Sequence, residues 1–231
     1  MTATNAFGQP VGPPLGDWAP PPYPPRVGLN GDHVTLVPLD PERHVVPLYA
    51  AFDGASDSLW TYMSIGPFEG VDELQSALEE ISGLPDWLAF AIEVAGQPLG
   101  FASYLRIQPR DGVIEIGSIA YSPSLQRTTA ATEAIYLMIA NVFALGYRRC
   151  EWKCDDLNGP SRTAAVRLGF TYEGTFGRAT HYKGRNRDTA WYAMTDLEWP
   201  RLEAAFKEWL SPDNQADGTQ RRSLREIREG S

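Results

Sequence analysis

Between Trp87 and Gly146 the hydrophobic pattern changes its period, and that change restricts the chain to folds in which a sheet is packed against helices. Trp87–Val94, Leu99–Arg106 and Val113–Tyr121 are strand-like runs, separated by turn signals at Gly96 and at Asp111–Gly112. Connections this short make an antiparallel meander. After Pro123 the apolar residues recur as Ile135, Met138, Ile139 and Val142, which is helical spacing, and the run stops at Gly146, a glycine suited to a C-terminal cap.

The rest of the chain alternates in the same way. Val34–Val37 reads as a strand, and Pro41–Phe52 as a helix opened by Asp40 as N-cap. Val71, Leu74, Leu78 and Ile81 form the stripe of a second helix. Further on, Arg148–Cys154 is a strand, Asn158–Leu168 a helix closed by Gly169, and Phe170–Phe176 and Asp188–Leu197 are strands joined by a hairpin with Gly177 and Gly184. A helix over Pro200–Leu210 follows. The class is α/β, and 231 residues suit one domain with extensions. A proline-rich arm spans 1–27 with eight of the 19 prolines, the body spans 28–211, and a polar tail spans 212–231. The arm cannot form helix or interior strand; it reads either as a disordered or surface-hugging leader or as a segment that packs Trp18 and Tyr23 on its own subunit or on a neighbour in a homodimer.

Charge narrows the function. A formal net charge of −9 argues against a nucleic-acid surface, which needs positive charge against phosphates. Residues 32–93 hold twelve acids and one base, whereas residues 148–187 hold nine bases and four acids. That asymmetry fits two oppositely charged small partners. No run is long and apolar enough to span a bilayer, and the N-terminus lacks a basic segment followed by an apolar one, so a cytoplasmic protein without a membrane partner is expected. Cys150 and Cys154, about 13 Å apart in an extended strand, are too distant to bridge and too few for zinc, so no metal is expected.

Two segments carry the chemistry. At Ser118–Ala134 a strand ends and a helix begins in Gln126, Arg127, Thr128, Thr129, Ala130 and Ala131, small and polar residues whose free amides suit a pyrophosphate. Farther along, Asn158, Ser161, Ala164, Leu168, Gly169, Phe170, Glu173, Gly174 and Arg178 stand in the order N-x-x-S-x-x-A-x-x-x-L-G-F-x-x-E-G-x-x-x-R. Gln126–Ala131 resembles the coenzyme-A signature Q/R-x-x-G-x-G/A of GNAT acetyltransferases, with Thr129 in place of a glycine. The longer motif is similar to the ribosomal-protein alanine N-acetyltransferase branch of that family. The likeness covers roughly residues 28–200.

The resemblance implies a GNAT acyltransferase fold, with a mixed, mostly antiparallel sheet flanked by helices, and an acetyl-CoA co-substrate. It places Asn158 along the pantetheine arm, Ser161 near the thiol, and the backbone of Ile119, Ala120 and Tyr121 beside the thioester. It also implies a bulge at Gly117–Ser118. Glu115 stands among aliphatic residues, where desolvation raises a carboxyl pKa toward that of a general base, although an acid paired to a structural arginine fits the same pattern. Three functions follow: N-acetyl transfer to a primary amine, such as a cationic small molecule or a protein N-terminus; a non-catalytic acyl-CoA binding module; and an interaction protein using its proline-rich arm.

Overall fold

The structure, a computed structural model, describes residues 3–215 and 220–230. Two short strands, β1 (Ala3–Thr4) and β2 (Pro10–Val11), pair with each other apart from the main sheet. The body then runs β3 (Leu29–Asn30), β4 (Thr35–Pro38), α1 (Pro41–Phe52), a 3-10 turn at Asp57–Trp60, α2 (Val71–Gly83), β5 (Leu88–Val94), β6 (Gln97–Gln108) and β7 (Val113–Tyr121). It continues with α3 (Thr129–Ala144), β8 (Arg149–Asp155), α4 (Gly159–Leu168), β9 (Thr171–Tyr182), β10 (Arg185–Thr195), α5 (Trp199–Leu210) and α6 (Leu224–Glu229). The eight-stranded sheet has the order β3-β4-β5-β6-β7-β8-β10-β9 and is antiparallel except between β7 and β8.

Local chemistry explains most boundaries. Asp40 accepts from the amides of Glu42 and Arg43 and starts α1, while Gly169, at φ 102°, ends α4 in the left-handed conformation that L side chains avoid. The sheet separates two cores. Leu48, Leu74, Leu78 and Ile81 of α1 and α2 pack on one face against Ala89, Ala91, Phe101 and Ala120. On the other, Ile135, Met138 and Ile139 of α3 share a core with Leu168 of α4 and Phe206 of α5.

Two segments depart from expectation. The body was expected to end near Leu210, yet Leu224 and Ile227 of α6 are fully buried in the main core. Burying two such side chains stabilises by about 1.5–3 kcal/mol each, which offsets the ordering of a short polar helix, and Ser223 and Glu226 close its start as a reciprocal capping box. β9 runs to Tyr182 instead of ending at Phe176, because its ladder with β10 continues to Tyr182 opposite Arg185, around a tight turn with Lys183 at φ 49° and Gly184 at φ 71°. The arm lies on its own subunit. Trp18 Nε1 donates to the Gly146 carbonyl at 3.1 Å and Tyr23 Oη to the Ile107 carbonyl at 3.2 Å. A Cβ at Gly112 would meet the Trp18 ring at 2.7 Å, so only glycine admits this approach.

Candidate active site

The sheet opens where its one parallel pair gives out. β7 and β8 are paired only over Val113–Glu115 and Arg149–Glu151, and beyond these residues the strands part. Since successive strand residues present N–H and C=O to alternate sides, about half of the backbone groups in 116–121 face this gap. A bulge lies beside it: Phe101 is opposite Ala120 and Ser103 opposite Gly117, leaving one residue on β6 against two on β7, with Ser118 at φ 48°. The expected bulge at Gly117–Ser118 is therefore present.

One wall of the gap is the junction into α3. Gln126 Nε2 donates to the Tyr121 carbonyl at 3.0 Å and holds the loop on the strand end, and Tyr121 Oη donates to the Ala131 carbonyl at 3.2 Å. Thr128 Oγ1 accepts from the Ala131 amide at 3.1 Å as N-cap. The amides of Arg127, Thr129 and Ala130 meet no acceptor among the described residues. Three open donors at a helix start form a cradle that a pyrophosphate fits. Thr129 does not block it: the left-handed residue of the loop is Arg127, at φ 62°, whereas Thr129 occupies the first helical position and turns its hydroxyl toward Gln215 Oε1 at 3.4 Å.

The opposite wall is the end of β8 and the start of α4. Asn158 Oδ1 accepts from the Ser161 amide at 3.1 Å, so the cap uses its oxygen and leaves its NH2 to donate elsewhere. Ser161 Oγ accepts from Trp152 Nε1 at 3.0 Å, which fixes the oxygen, and the same hydroxyl hydrogen-bonds the Cys154 sulfur.

Glu115 lies deeper, on the α1/α2 face. Its register opposite Leu105 puts it on the same face as Phe101, and it is 5% exposed. Lys153 Nζ contacts it at 2.7 Å and Glu151 at 2.6 Å, and Arg106 Nε lies 3.6 Å from it. Burial raises its pKa above the ordinary carboxylate value, against the pull of Lys153 and Arg106. Glu115 is thus both desolvated and ion-paired. The structure brings Ile119–Tyr121 and Gln126–Ala131 together on one wall and Asn158 with Ser161 on the other, with Glu115 behind the point where the strands part.

Several residues on this face were invisible as site residues in the sequence. Lys153 lies 3.9 Å from the centre of the Trp191 ring, and Phe176 stacks on that ring at 4.7 Å. Tyr182 Oη donates to Asp155 Oδ2 at 2.7 Å. Lys183 Nζ reaches the carbonyls of Trp60 at 2.6 Å and Ile65 at 3.1 Å, so the β9–β10 hairpin clasps the loop between α1 and α2. Lys183, a basic residue of the hairpin, therefore sits on the α1/α2 side. Only the strand alternation around Lys153 and Trp191 could have signalled their shared face. Cys150 and Cys154 are buried free thiols, Tyr192 is core, and His181 is exposed. Among the described residues no cluster could hold a metal ion, and no helix is long and apolar enough to cross a membrane.

Known proteins share this arrangement. The family model described as "Acetyltransferase (GNAT) domain" matches residues 33–171. A GCN5-related N-acetyltransferase from Brucella melitensis is 42% identical and superposes with a TM-score of 0.90 over 93% of this chain and 100% of its own. A probable acetyltransferase of the GNAT family from Chromobacterium violaceum is 40% identical, with a TM-score of 0.79 over 83% of this chain and 98% of its own. The fold recurs in Mycobacterium smegmatis RimJ, solved with CoA-disulfide, at 21% identity and a TM-score of 0.64 over 76% of this chain and 88% of its own. Comparison with curated proteins finds no match.

Proposed function

The chain belongs to the GNAT acetyltransferase family, whose members carry out acetyl-CoA-dependent acetylation, and on that premise we propose that its acceptor is a primary amine, a small molecule or a peptide N-terminus. The observation that carries this is the gap between β7 and β8, with open amides on one wall, Asn158 and Ser161 on the other, and a desolvated carboxylate on the α1/α2 face.

Acetyl-CoA supplies the acetyl group as a thioester; the remaining work falls to this chain. The amides of Arg127, Thr129 and Ala130 hold the pyrophosphate, Asn158 Nδ2 the pantetheine, and the unpaired edge of β7 orients the carbonyl. The amine arrives as an ammonium ion, a cation that the acids of residues 32–93 attract. Glu115 takes its proton, directly or through a water. The amine nitrogen then forms the C–N bond and the C–S bond breaks; the Ser161 hydroxyl delivers its proton to the departing sulfur, and the second proton lost by the nitrogen, passed through water, restores the hydroxyl.

Thiol release from acetyl-CoA, followed with a panel of primary amines and by mass spectrometry of the products, tests the reading. Amine-dependent release with a 1:1 acetylated product is expected. Tight binding of acetyl-CoA without release for any amine would instead identify a binding module.

A further inference from the structure

We propose that Gly117 is a specificity-determining residue for the acceptor: its bare Cα floors the slot through which the amine reaches Glu115 Oε1. This rests on the reading that Glu115 takes the proton of a primary amine, and it names the oxygen and the path. The two oxygens of Glu115 are not equivalent. Oε2 accepts from Lys153 Nζ at 2.7 Å and lies 3.6 Å from Arg106 Nε. Oε1 meets no donor among the described residues, and it is not one of the sealed polar atoms that lack a partner, so the 7% of the side chain still open to solvent includes it. A proton drawn from the amine therefore goes to Oε1, since two cations already crowd the lone pairs of Oε2.

Oε1 points along β7 toward Gly117. A Cβ built on Gly117 would stand 3.4 Å from Oε1, and its other nearest neighbours are Leu105 Cδ2 at 3.0 Å and Leu105 Cγ at 3.8 Å. These atoms belong to two side chains, Leu105 of β6 and Glu115 itself. Across from Leu105 the site is open: β8 has parted from β7 after the Glu115–Glu151 pair, and Gly117 is half-buried at the edge of the gap. The backbone does not ask for glycine here. Gly117 lies outside the left-handed region, unlike its neighbour Ser118 at φ 48°, so what glycine supplies is space rather than conformation. That space is where an ammonium nitrogen must stand. A nitrogen hydrogen-bonded to Oε1 at about 2.8 Å passes over the Gly117 Cα, and an alanine methyl, about 1.5 Å from that Cα, would push it outward. The same clearance admits an amine on a branched carbon, such as the α-carbon of a peptide N-terminus.

The test is Gly117→Ala in the full chain, read as kcat and KM by thiol release with matched primary amines, unbranched or branched at the carbon bearing nitrogen. Calorimetry of acetyl-CoA binding and a thermal melt accompany it. Misplacing a reacting atom by about 1 Å costs on the order of a hundredfold, so kcat/KM for the amine should fall roughly 10- to 100-fold. Acetyl-CoA affinity should not change. Branched amines should lose more, because their extra substituent meets the new methyl. That methyl also presses on Leu105, which must give by a few tenths of an ångström, and Gly117→Ala combined with Leu105→Val removes the Cδ2 it would meet. A loss that persists in the double variant supports the slot; activity restored there traces the loss to Leu105 and overturns the inference. Unchanged amine kinetics in Gly117→Ala overturn it as well, and so do equal losses for the two amine classes, which a distorted bulge would give. The wild type provides a second reading that needs no variant to fold: it should use both amine classes, and rejection of branched amines would deny the clearance. Failure of every amine to release thiol overturns the amine-acceptor reading beneath it.

Discussion

Replacing Glu115 with glutamine separates catalysis from stability in a way a purely structural acid would not. The side chain is 5% exposed, and burial raises its pKa above the ordinary value even with Lys153 at 2.7 Å. A carboxyl whose folded pKa lies above its unfolded value contributes stability below the unfolded pKa, and loses it as pH rises through the folded pKa. Above that folded pKa the ionised Glu115 is therefore a net burden on the fold, and a neutral isostere lifts it. Lys153 is not orphaned by the change, because Glu151 remains at 2.6 Å. The expected outcome is a melting temperature at pH 7.5 that is unchanged or higher in Glu115→Gln. Turnover is another matter: losing a general base costs on the order of a hundredfold, or about 2.7 kcal/mol of barrier. The acid limb of kcat/KM in the wild type, with its midpoint above the usual carboxylate range, should vanish in the variant. Steady-state thiol release from pH 5 to 9, with a thermal melt at each pH, measures both quantities. Full activity across that range, or turnover and melting temperature falling together, would refute the reasoning and leave Glu115 as the ion-pair partner of Lys153.

Acetyl-CoA should raise the melting temperature by mass action, with about 2.7 kcal/mol of stabilisation at a hundredfold excess over Kd, and a melt that does not move at millimolar ligand would deny the cradle at Arg127–Ala130. Asn158→Ala should weaken acetyl-CoA binding in calorimetry and also lower stability by about 1 kcal/mol through the lost cap on the Ser161 amide. Ser161→Ala should leave that affinity intact and slow turnover modestly; equal losses of affinity in the two variants would remove Ser161 from the chemistry. Lys183→Met should release the carbonyls of Trp60 and Ile65 and raise KM for the amine more than for acetyl-CoA, as bisubstrate kinetics would show.

The elements most legible in the sequence are those whose causes are local. Asp40 and Pro41 start α1, Asn158 and Gly169 bracket α4, and Gly96 and Gly112 punctuate the meander, because caps and turns are decided within a few residues. The same holds for the α3 start and for Asn158 and Ser161, whose spacing around one helix turn survives any packing. The sequence also marked Glu115 as an acid among aliphatic residues, but not its pairing, since Lys153 stands 38 residues away and meets it only because β8 joins β7 in parallel. The same sheet order decided where β7 and β8 part, set Trp191 over Lys153, and brought the Lys183 hairpin across to the α1–α2 loop. Leu224 and Ile227 looked like stray apolar residues in a polar tail until the groove beside α5 gave them somewhere to be buried.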